Sequence, residues 1–169
     1  MKKIKLIVCC DSKGGIGFKN TIPWKVPEDM KIFKKKTIGN KNNCVIMGKN
    51  TCLSIPKKYF PFNERVNCVL SSSYTTEQDV TVQRNEKNLF KWIEETNYDT
   101  YWIIGGKMIY ELFLEANIVD EIHISLLKKE YNCDTFFELN ILKDYIEKDS
   151  EHQEYPEFSH QIFITPLNI

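Results

Sequence analysis

One acidic residue, Asp29, has sequence neighbours typical of a carboxylate that takes part in acid–base chemistry. It follows Pro27, which suits the first position of a helix, and acidic side chains in a first helical turn are stabilised by the helix dipole. Its neighbours are apolar, with Trp24 before it and Met30 and Phe33 after it. A carboxylate at the rim of an apolar cleft is more often functional than structural. Asp29 is therefore the first candidate for acid–base chemistry.

Two glycine-containing segments are candidates for binding an anionic group. Gly105 and Gly106 lie between a predicted strand and a predicted helix, and Gly48 precedes a second, shorter helix. Free backbone amides and the dipole at a helix start attract phosphate. The sequence has no GxGxxG pattern, so a Rossmann-type dinucleotide site is not predicted. Lys49 adds a positive charge after Gly48, although a lone surface lysine is a weak signal.

Three glycines, Gly14, Gly15 and Gly17, precede Trp24. Glycine adopts positive φ without steric cost, and loops that close over a ligand need such freedom. An ordinary turn would explain the same glycines equally well. This segment therefore supports a binding loop only in combination with other signals.

Charge and composition exclude several classes of function. The chain has 23 basic and 23 acidic residues and a net charge of +0, so no overall field attracts nucleic acid or a membrane surface. The apolar run Leu6–Cys10 is too short for a signal peptide or a membrane span, so we expect a buried strand and a cytoplasmic location. The six cysteines form no CxxC pair, which favours reduced thiols over a metal site or disulfides.

Hydrophobic periodicity predicts the elements that position these residues. Strands are expected at residues 5–10, 44–47, 66–70, 80–82, 101–104, 122–127 and 161–165, and helices after Pro27, around residues 89–93 and at 108–116. Residues 74–79 and 148–158 are predicted to be loops. This order predicts one α/β domain over residues 1–169. Its three layers comprise a central, mostly parallel sheet of about eight strands, an antiparallel C-terminal edge and about four helices on both faces.

A longer pattern resembles the dihydrofolate reductase family. It begins with the glycine-containing loop, Pro-Trp at 23–24 and Pro-x-Asp-x-x-x-Phe at 27–33. It continues in the family's order with VIMGKNT at 45–51, NERVNCVLS at 63–71, IIGGKMIY at 103–110, IHIS at 122–125, CDTFF at 133–137 and SHQIF at 159–163. No single piece is specific, but the ordered combination is, and it covers essentially the whole chain.

The resemblance implies a function. It implies NADPH-dependent reduction of 7,8-dihydrofolate to 5,6,7,8-tetrahydrofolate by hydride transfer, a reaction of one-carbon metabolism that supports thymidylate synthesis. Asp29 would orient the pterin and favour its protonation through water, and Ser125 stands where the family usually has Thr. A cis Gly105–Gly106 bond is also implied. We expect a stand-alone monomer that binds dihydrofolate and antifolate inhibitors, with no nucleic acid, membrane or metal.

Residue by residue, the resemblance implies three overlapping sets. The catalytic set is Asp29, Ile22, Trp24 and Ser125. The substrate set is Ile7, Val8, Asp29, Met30, Phe33, Ile55, Arg65, Ile104, Tyr110 and Ser125, with Arg65 placed to hold the tail carboxylate and Lys57 and Lys58 nearby. The cofactor set is Cys9, Ile16, Gly17, Asn20, Thr21, Gly48, Lys49, Asn50, Thr51, Leu70, Ser71, Ser72, Arg84, Gly105, Gly106, Lys107, Met108, Ile109 and Tyr110.

Two other functions are compatible with parts of the pattern. One is an NADPH-dependent reductase of a pyrimidine intermediate in flavin synthesis, which shares the cofactor site but whose substrate has neither a pterin nor a carboxylate tail. Asp29 and Arg65 argue against it. The other is a non-catalytic protein that binds folate or NADPH. Intact Asp29, Trp24, Arg65 and Gly105–Gly106 argue against that function.

Overall fold

A mixed sheet forms the middle layer of the molecule, which the computed structural model describes over residues 2–168. Within those residues the strands are β1 (Ile4–Cys10), β2 (Gly15–Gly17), β3 (Asn43–Gly48), β4 (Val66–Leu70), β5 (Thr81–Gln83), β6 (Thr100–Gly105), β7 (Glu121–Leu127), β8 (Thr135–Phe136), β9 (Ile146–Glu147), β10 (Gln153–Glu154) and β11 (Phe158–Ile164). The helices are α1 (Pro27–Ile38), α2 (Lys49–Ser54), α3 (Glu86–Glu95) and α4 (Lys107–Glu115), with 3₁₀ helices at Leu139–Asp144, Asp149–Glu151 and Pro166–Asn168.

The strand order confirms the predicted sheet. In the described part of the chain the main sheet runs β10-β11-β7-β1-β6-β3-β4-β5, and β9 also pairs with β11. The strands from β7 to β5 are parallel to their neighbours, whereas β11 is antiparallel to β7, β9 and β10. Parallel strands need crossover connections, and here the crossovers include the helices that cover the sheet.

Alternating side chains of the buried strands divide the core into two layers. In β3, Cys44 and Ile46 pack in the cluster that includes Leu89 of α3 and Phe113 of α4. Their neighbours Val45 and Met47 pack in a second cluster, with Cys52 of α2 and Phe33 of α1. Successive side chains of a strand point to opposite faces, so helices cover both faces, as predicted. None of the helices in residues 2–168 is long and apolar enough to cross a membrane.

The prediction of a loop over residues 148–158 is wrong in part. This segment contains the 3₁₀ helix Asp149–Glu151 and strand β10, which pairs with β11 through Gln153 and Glu154. Both strand residues are exposed. An exposed two-residue edge strand has no apolar alternation, so hydrophobic periodicity does not detect it.

The glycine-containing loop is more ordered than its composition suggests. Gly15–Gly17 form strand β2, which pairs with β8. Gly14 has a φ of +88°, as expected for a glycine in a turn. The tight turn that follows, closed by hydrogen bonds between Phe18 and Thr21, places positive φ on Lys19 and Asn20 instead. Asn tolerates this conformation better than most residues, whereas a lysine there is unusual.

Candidate active site

Asp29 lies in the first turn of α1, where Pro27 occupies the first turn as predicted. Its half-buried carboxylate accepts a hydrogen bond of 2.5 Å from the Ser125 hydroxyl of β7. A second hydrogen bond comes from the Cys9 thiol of β1, which in turn accepts one from Trp24. Burial raises the pKa of Asp29, and the hydrogen bonds from Ser125 and Cys9 oppose that rise. Asp29 and Ser125, both members of the predicted catalytic set, are thus in direct contact.

An apolar cluster lies on the same face of the sheet. It brings together four residues of the predicted substrate set, namely Ile7, Phe33, Ile55 and Ile104. Val8 packs instead in the opposite layer, since it is the next residue of β1 after Ile7. The prediction that the Val8 side chain lines this cleft is therefore wrong.

Two residues of the predicted catalytic and substrate sets present apolar side chains to solvent. Ile22 is 62% exposed and Met30 is 51% exposed. Met30 follows Asp29 directly on α1, and Ile22 precedes Trp24. An exposed apolar side chain next to a functional carboxylate is suited to contact a flat apolar ligand, because burial of that side chain then stabilises the complex.

Tyr110 is buried and does not present its hydroxyl to solvent. The hydroxyl contacts the carbonyl oxygens of Ile7 and Ile104 at 2.9 Å and 3.0 Å, and it serves as the donor. Burial raises the pKa of Tyr110 far above its ordinary value, so the hydroxyl stays protonated. Tyr110 thereby links the paired strands β1 and β6 at two residues, Ile7 and Ile104, whose side chains belong to the apolar cluster.

Arg65 is held in a defined orientation just before β4. Its Nη1 donates to Thr37 Oγ1 of α1 at 2.9 Å, and its Nε donates to the Asn63 carbonyl at 2.9 Å. The guanidinium also lies 4.7 Å from the centre of the Phe62 ring. These contacts fix the orientation of the guanidinium in the absence of a ligand. Less side-chain conformational entropy is therefore lost when the guanidinium pairs with a carboxylate.

Two helix starts meet at the carboxyl ends of β3 and β6. Gly48 is the N-cap residue of α2 and Gly106 that of α4, and neither helix has a side-chain cap. A Cβ atom on Gly48 would lie 3.2 Å from the Ile109 side chain, which shows how closely the two segments approach. The Gly105–Gly106 peptide bond is cis, as the sequence pattern implies, and Gly105 has a φ of +121° that favours glycine.

A polar cluster follows the end of β4. Lys49 Nζ donates to Ser73 Oγ at 3.0 Å, and Arg84 Nη1 donates to the carbonyls of Ser71 and Tyr74. The predicted Lys49, Ser71 and Arg84 are therefore neighbours. Ser73 is an additional member that the sequence analysis missed, since one serine in a polar run carries no distinguishing signal.

Comparison with known proteins decides the family. The model of the dihydrofolate reductase family matches residues 3–165. The chain belongs to the dihydrofolate reductase family. It is 31% identical over 152 residues to a dihydrofolate reductase of Ureaplasma parvum, which covers 90% of this chain and 92% of that protein. It is 30% identical over 148 residues to that of Aedes albopictus (81% and 80% covered) and 34% identical over 152 residues to a viral dihydrofolate reductase of Saimiriine herpesvirus 2 (84% and 71%).

Membership of the dihydrofolate reductase family implies a nicotinamide cofactor, and the structure offers groups that fit one. The helix starts after Gly48 and Gly106 present backbone amides, Lys49 supplies positive charge at the start of α2, and Arg84 supplies it beside Ser71. Among residues 2–168 no group of three or more histidine, cysteine or acidic side chains is arranged to hold a metal ion.

This dihydrofolate reductase family member also has a buried polar network beneath α1 that the sequence analysis missed. His160 of β11 contacts the Ser125 hydroxyl through Nδ1 at 2.9 Å. His123 of β7 contacts Lys36 Nζ at 2.9 Å through Nδ1 and Glu121 at 3.0 Å through Nε2. Residues 159–161 of β11 are three consecutive polar residues, a pattern typical of a solvent-exposed segment, so only the strand pairing shows that His160 lies beneath α1.

The buried histidines predict acid sensitivity of the fold. Burial lowers the pKa of His160 from 6.5 to about 3, so the unfolded chain binds more protons between these values. The contribution of neutral His160 to the free energy of unfolding is fully present above pH 6.5 and is lost as the pH falls towards about 3. At pH 5 the free energy of unfolding is therefore about 2 kcal/mol lower because of His160 alone. Urea denaturation at pH 7 and pH 5 measures the loss. In His160→Phe the loss of unfolding free energy between pH 7 and pH 5 should be smaller. An unchanged pH dependence in that variant would contradict the assignment of this loss to His160.

Proposed function

We propose that this chain catalyses the NADPH-dependent reduction of 7,8-dihydrofolate to 5,6,7,8-tetrahydrofolate. The observation that carries the proposal is the arrangement of two charged groups along α1. Asp29 lies in the first turn, and Arg65 is bound to Thr37 near the last turn. Eight residues of helix separate Asp29 from Thr37 by about 12 Å, and Phe33 lies between them against the apolar cluster. A ligand with a polar ring, an apolar middle and an anionic tail matches this order.

Asp29 would recognise the pterin. Its ionised carboxylate accepts hydrogen bonds from the amino group and the adjacent ring nitrogen, which fixes the orientation of the ring. The same negative charge favours protonation of the ring nitrogen that must receive a proton, and water carries that proton. Ser125 and Cys9 keep the carboxylate oriented through their hydrogen bonds. Trp24, hydrogen-bonded to Cys9, and the exposed Ile22 complete the catalytic set.

The rest of the substrate would lie along α1. Ile7, Phe33, Ile55 and Ile104 would contact its rings together with the exposed Met30, in keeping with ligand sites that are mostly apolar. Tyr110 would support this surface from behind through the carbonyls of Ile7 and Ile104. Arg65 would bind the α-carboxylate of the tail through two parallel hydrogen bonds.

NADPH would bind across the carboxyl ends of β3, β4 and β6, where it supplies the hydride. The amides that follow Gly48 and Gly106 would hold its phosphates. The side chain of Ile109 is buried, so this residue would contribute through its backbone. The remaining members of the proposed set are Cys9, Ile16, Gly17, Asn20, Thr21, Asn50, Thr51, Leu70, Ser72, Gly105, Lys107, Met108 and Tyr110.

Lys49 and Arg84 would distinguish NADPH from NADH by binding the additional phosphate, with Ser71 and Ser73 beside them. Lys49→Ala is expected to raise the KM for NADPH about 10-fold, since a hydrogen bond to a charged group contributes about 1.5–3 kcal/mol. The KM for NADH should not change. Lys91→Ala, which removes an exposed lysine of α3, is the matched control. Equal increases in the KM for both cofactors would refute the assignment.

The decisive test follows NADPH absorbance with each candidate substrate. Dihydrofolate should be reduced, and the pyrimidine intermediate of flavin synthesis should not, because it lacks the groups that Asp29 and Arg65 bind. Turnover of the pyrimidine without turnover of dihydrofolate would replace our proposal with that alternative. Tight binding of both ligands without turnover would identify a non-catalytic binding protein.

We further propose that the protein acts in the cytoplasm as a monomer that antifolate inhibitors also bind. Its six cysteines are all free, and four of them are buried, which supports a reducing compartment. Sedimentation equilibrium at micromolar concentration tests the oligomeric state, and a competitive antifolate titration tests inhibitor binding.

A further inference from the structure

Three neighbouring strands place a row of polar side chains beneath Asp29. Cys9 of β1 pairs with Ser125 of β7, and Ser125 pairs with His160 of β11. Asp29 of α1 accepts hydrogen bonds from both Cys9 and Ser125. Ser125 is 2% exposed and His160 is 2% exposed, so solvent does not replace these contacts. Two successive hydrogen bonds, through Ser125, therefore connect His160 to the carboxylate.

The direction of each hydrogen bond follows from the single proton of the Ser125 hydroxyl. That proton is donated to Asp29 Oδ1 over 2.5 Å. The 2.9 Å contact between Ser125 Oγ and His160 Nδ1 must then have the imidazole N–H as donor. His160 Nε2 has no hydrogen-bond partner among the described residues. A buried acceptor without a partner is tolerated better than a buried N–H without one. The lack of a partner for Nε2 therefore also favours the tautomer that carries its proton on Nδ1.

Burial and two neighbouring basic groups keep the ring of His160 neutral. Burial lowers its pKa to about 3, and the positive charge of Lys36 on α1 and the neighbouring His123 on β7 act in the same direction. Glu151, in the 3₁₀ helix before β10, acts against them. A neutral ring carries one N–H, which the contact with Ser125 places on Nδ1. At neutral pH His160 is thus a hydrogen-bond donor to Ser125 without a net charge of its own.

We propose that His160 is a positioning residue which, through the Ser125 hydroxyl, keeps the Asp29 carboxylate ionised and accepting. Donation from His160 polarises the Ser125 O–H bond, and successive hydrogen bonds strengthen one another. A stronger donor to the carboxylate stabilises its charged form. The stronger hydrogen bond thus opposes the rise in the pKa of Asp29 that burial causes, and the proposed function needs Asp29 to be negatively charged. The importance of His160 for catalysis rests on the proposed function, in which Asp29 acts as an anion.

The test is a double-mutant cycle read out on Asp29 itself. The carboxyl carbon of Asp29, assigned in ¹³C-labelled protein by its loss in Asp29→Asn, is titrated by NMR in the absence of ligand. His160→Phe is expected to raise the midpoint by about 0.5–1 pH unit, a difference of about 1 kcal/mol. In a Ser125→Ala background the same substitution should move the midpoint by less than about 0.2 unit, because the connecting hydroxyl is gone.

A conservative variant separates hydrogen bonding from packing. His160→Asn keeps an amide N–H at the same number of bonds from the backbone as Nδ1, so its midpoint should equal that of the wild type. His160→Gln places the amide one atom further and should behave like His160→Phe, and it replaces that variant if His160→Phe does not fold. An equal shift with and without Ser125, or no shift at all, would overturn the proposal. The titration needs no turnover, so its result is independent of whether dihydrofolate proves to be the substrate.

Discussion

Asp29→Asn is expected to lower kcat for dihydrofolate at pH 7 by about two to four orders of magnitude, the usual contribution of acid–base assistance. Asn keeps the shape of the side chain and its hydrogen bond with Ser125, but it removes the negative charge. The ring nitrogen then has no neighbouring anion to favour its protonation. The deficit should shrink as pH falls, because protons from solution increasingly replace that effect. Stopped-flow measurement of NADPH oxidation between pH 5 and pH 8 determines both effects.

Glu28→Gln is the matched control for this experiment. Glu28 is the preceding acid in the first turn of α1, and it forms an exposed ion pair with Lys31 at 3.3 Å. Exposed pairs of this kind contribute little to stability, so the control should stay within about twofold of the wild-type rate. Equal activity of Asp29→Asn and Glu28→Gln would show that Asp29 has no role in the reaction.

Arg65→Leu is expected to raise the KM for dihydrofolate about 10- to 100-fold, with a much smaller change in kcat. Loss of hydrogen bonding between the guanidinium and a charged carboxylate costs about 1.5–3 kcal/mol, and the carboxylate is remote from the reacting ring. Arg65→Lys should recover only part of the loss, because an ammonium group cannot form the two parallel hydrogen bonds. Steady-state kinetics with dihydrofolate as the varied substrate measures these changes.

A dihydropterin without the glutamate tail provides the internal control for Arg65. Its KM should be the same for wild type and Arg65→Leu, since the contact that was removed does not exist for this substrate. Arg84→Leu should show the converse pattern, with a higher KM for NADPH and an unchanged KM for dihydrofolate. If Arg65→Leu weakened both pterins equally, Arg65 would act through the position of α1, which it contacts at Thr37.

The parts of the fold that carry strong local signals are those that the sequence predicts. Pro27 and the acidic residues after it identify the start of α1, and apolar runs identify the buried strands. The two-residue strands β8, β9 and β10 have no periodicity to detect. The positive φ of Lys19 is likewise unexpected from residue type. Such features depend on pairing with distant segments, which local patterns do not contain.

The residues of the candidate site likewise divide into those that the local sequence identifies and those that depend on contacts with distant segments. Asp29 is identified by its own neighbours along the chain, whereas His160 becomes relevant only because strand pairing places it opposite Ser125, 35 residues earlier. Val8 illustrates the converse error, because its apolar character fits the cleft but its position in β1 directs it to the other face. Contacts of this kind depend on register, and a shift of one residue would reverse them.

Asn67 of β4 binds the end of the segment that connects α2 to Arg65, residues 55–64. Its amide accepts from the Phe62 N–H at 3.0 Å and donates to the carbonyls of Phe62 and Arg65 at 2.9 Å and 3.1 Å. The exposed residues 57–59 lie outside these contacts. We therefore expect insertions or deletions at residues 57–59 to leave the position of the Arg65 guanidinium unchanged. Changes in the length or composition of this loop should therefore leave the KM for dihydrofolate unchanged if Arg65 binds the anionic tail as we propose.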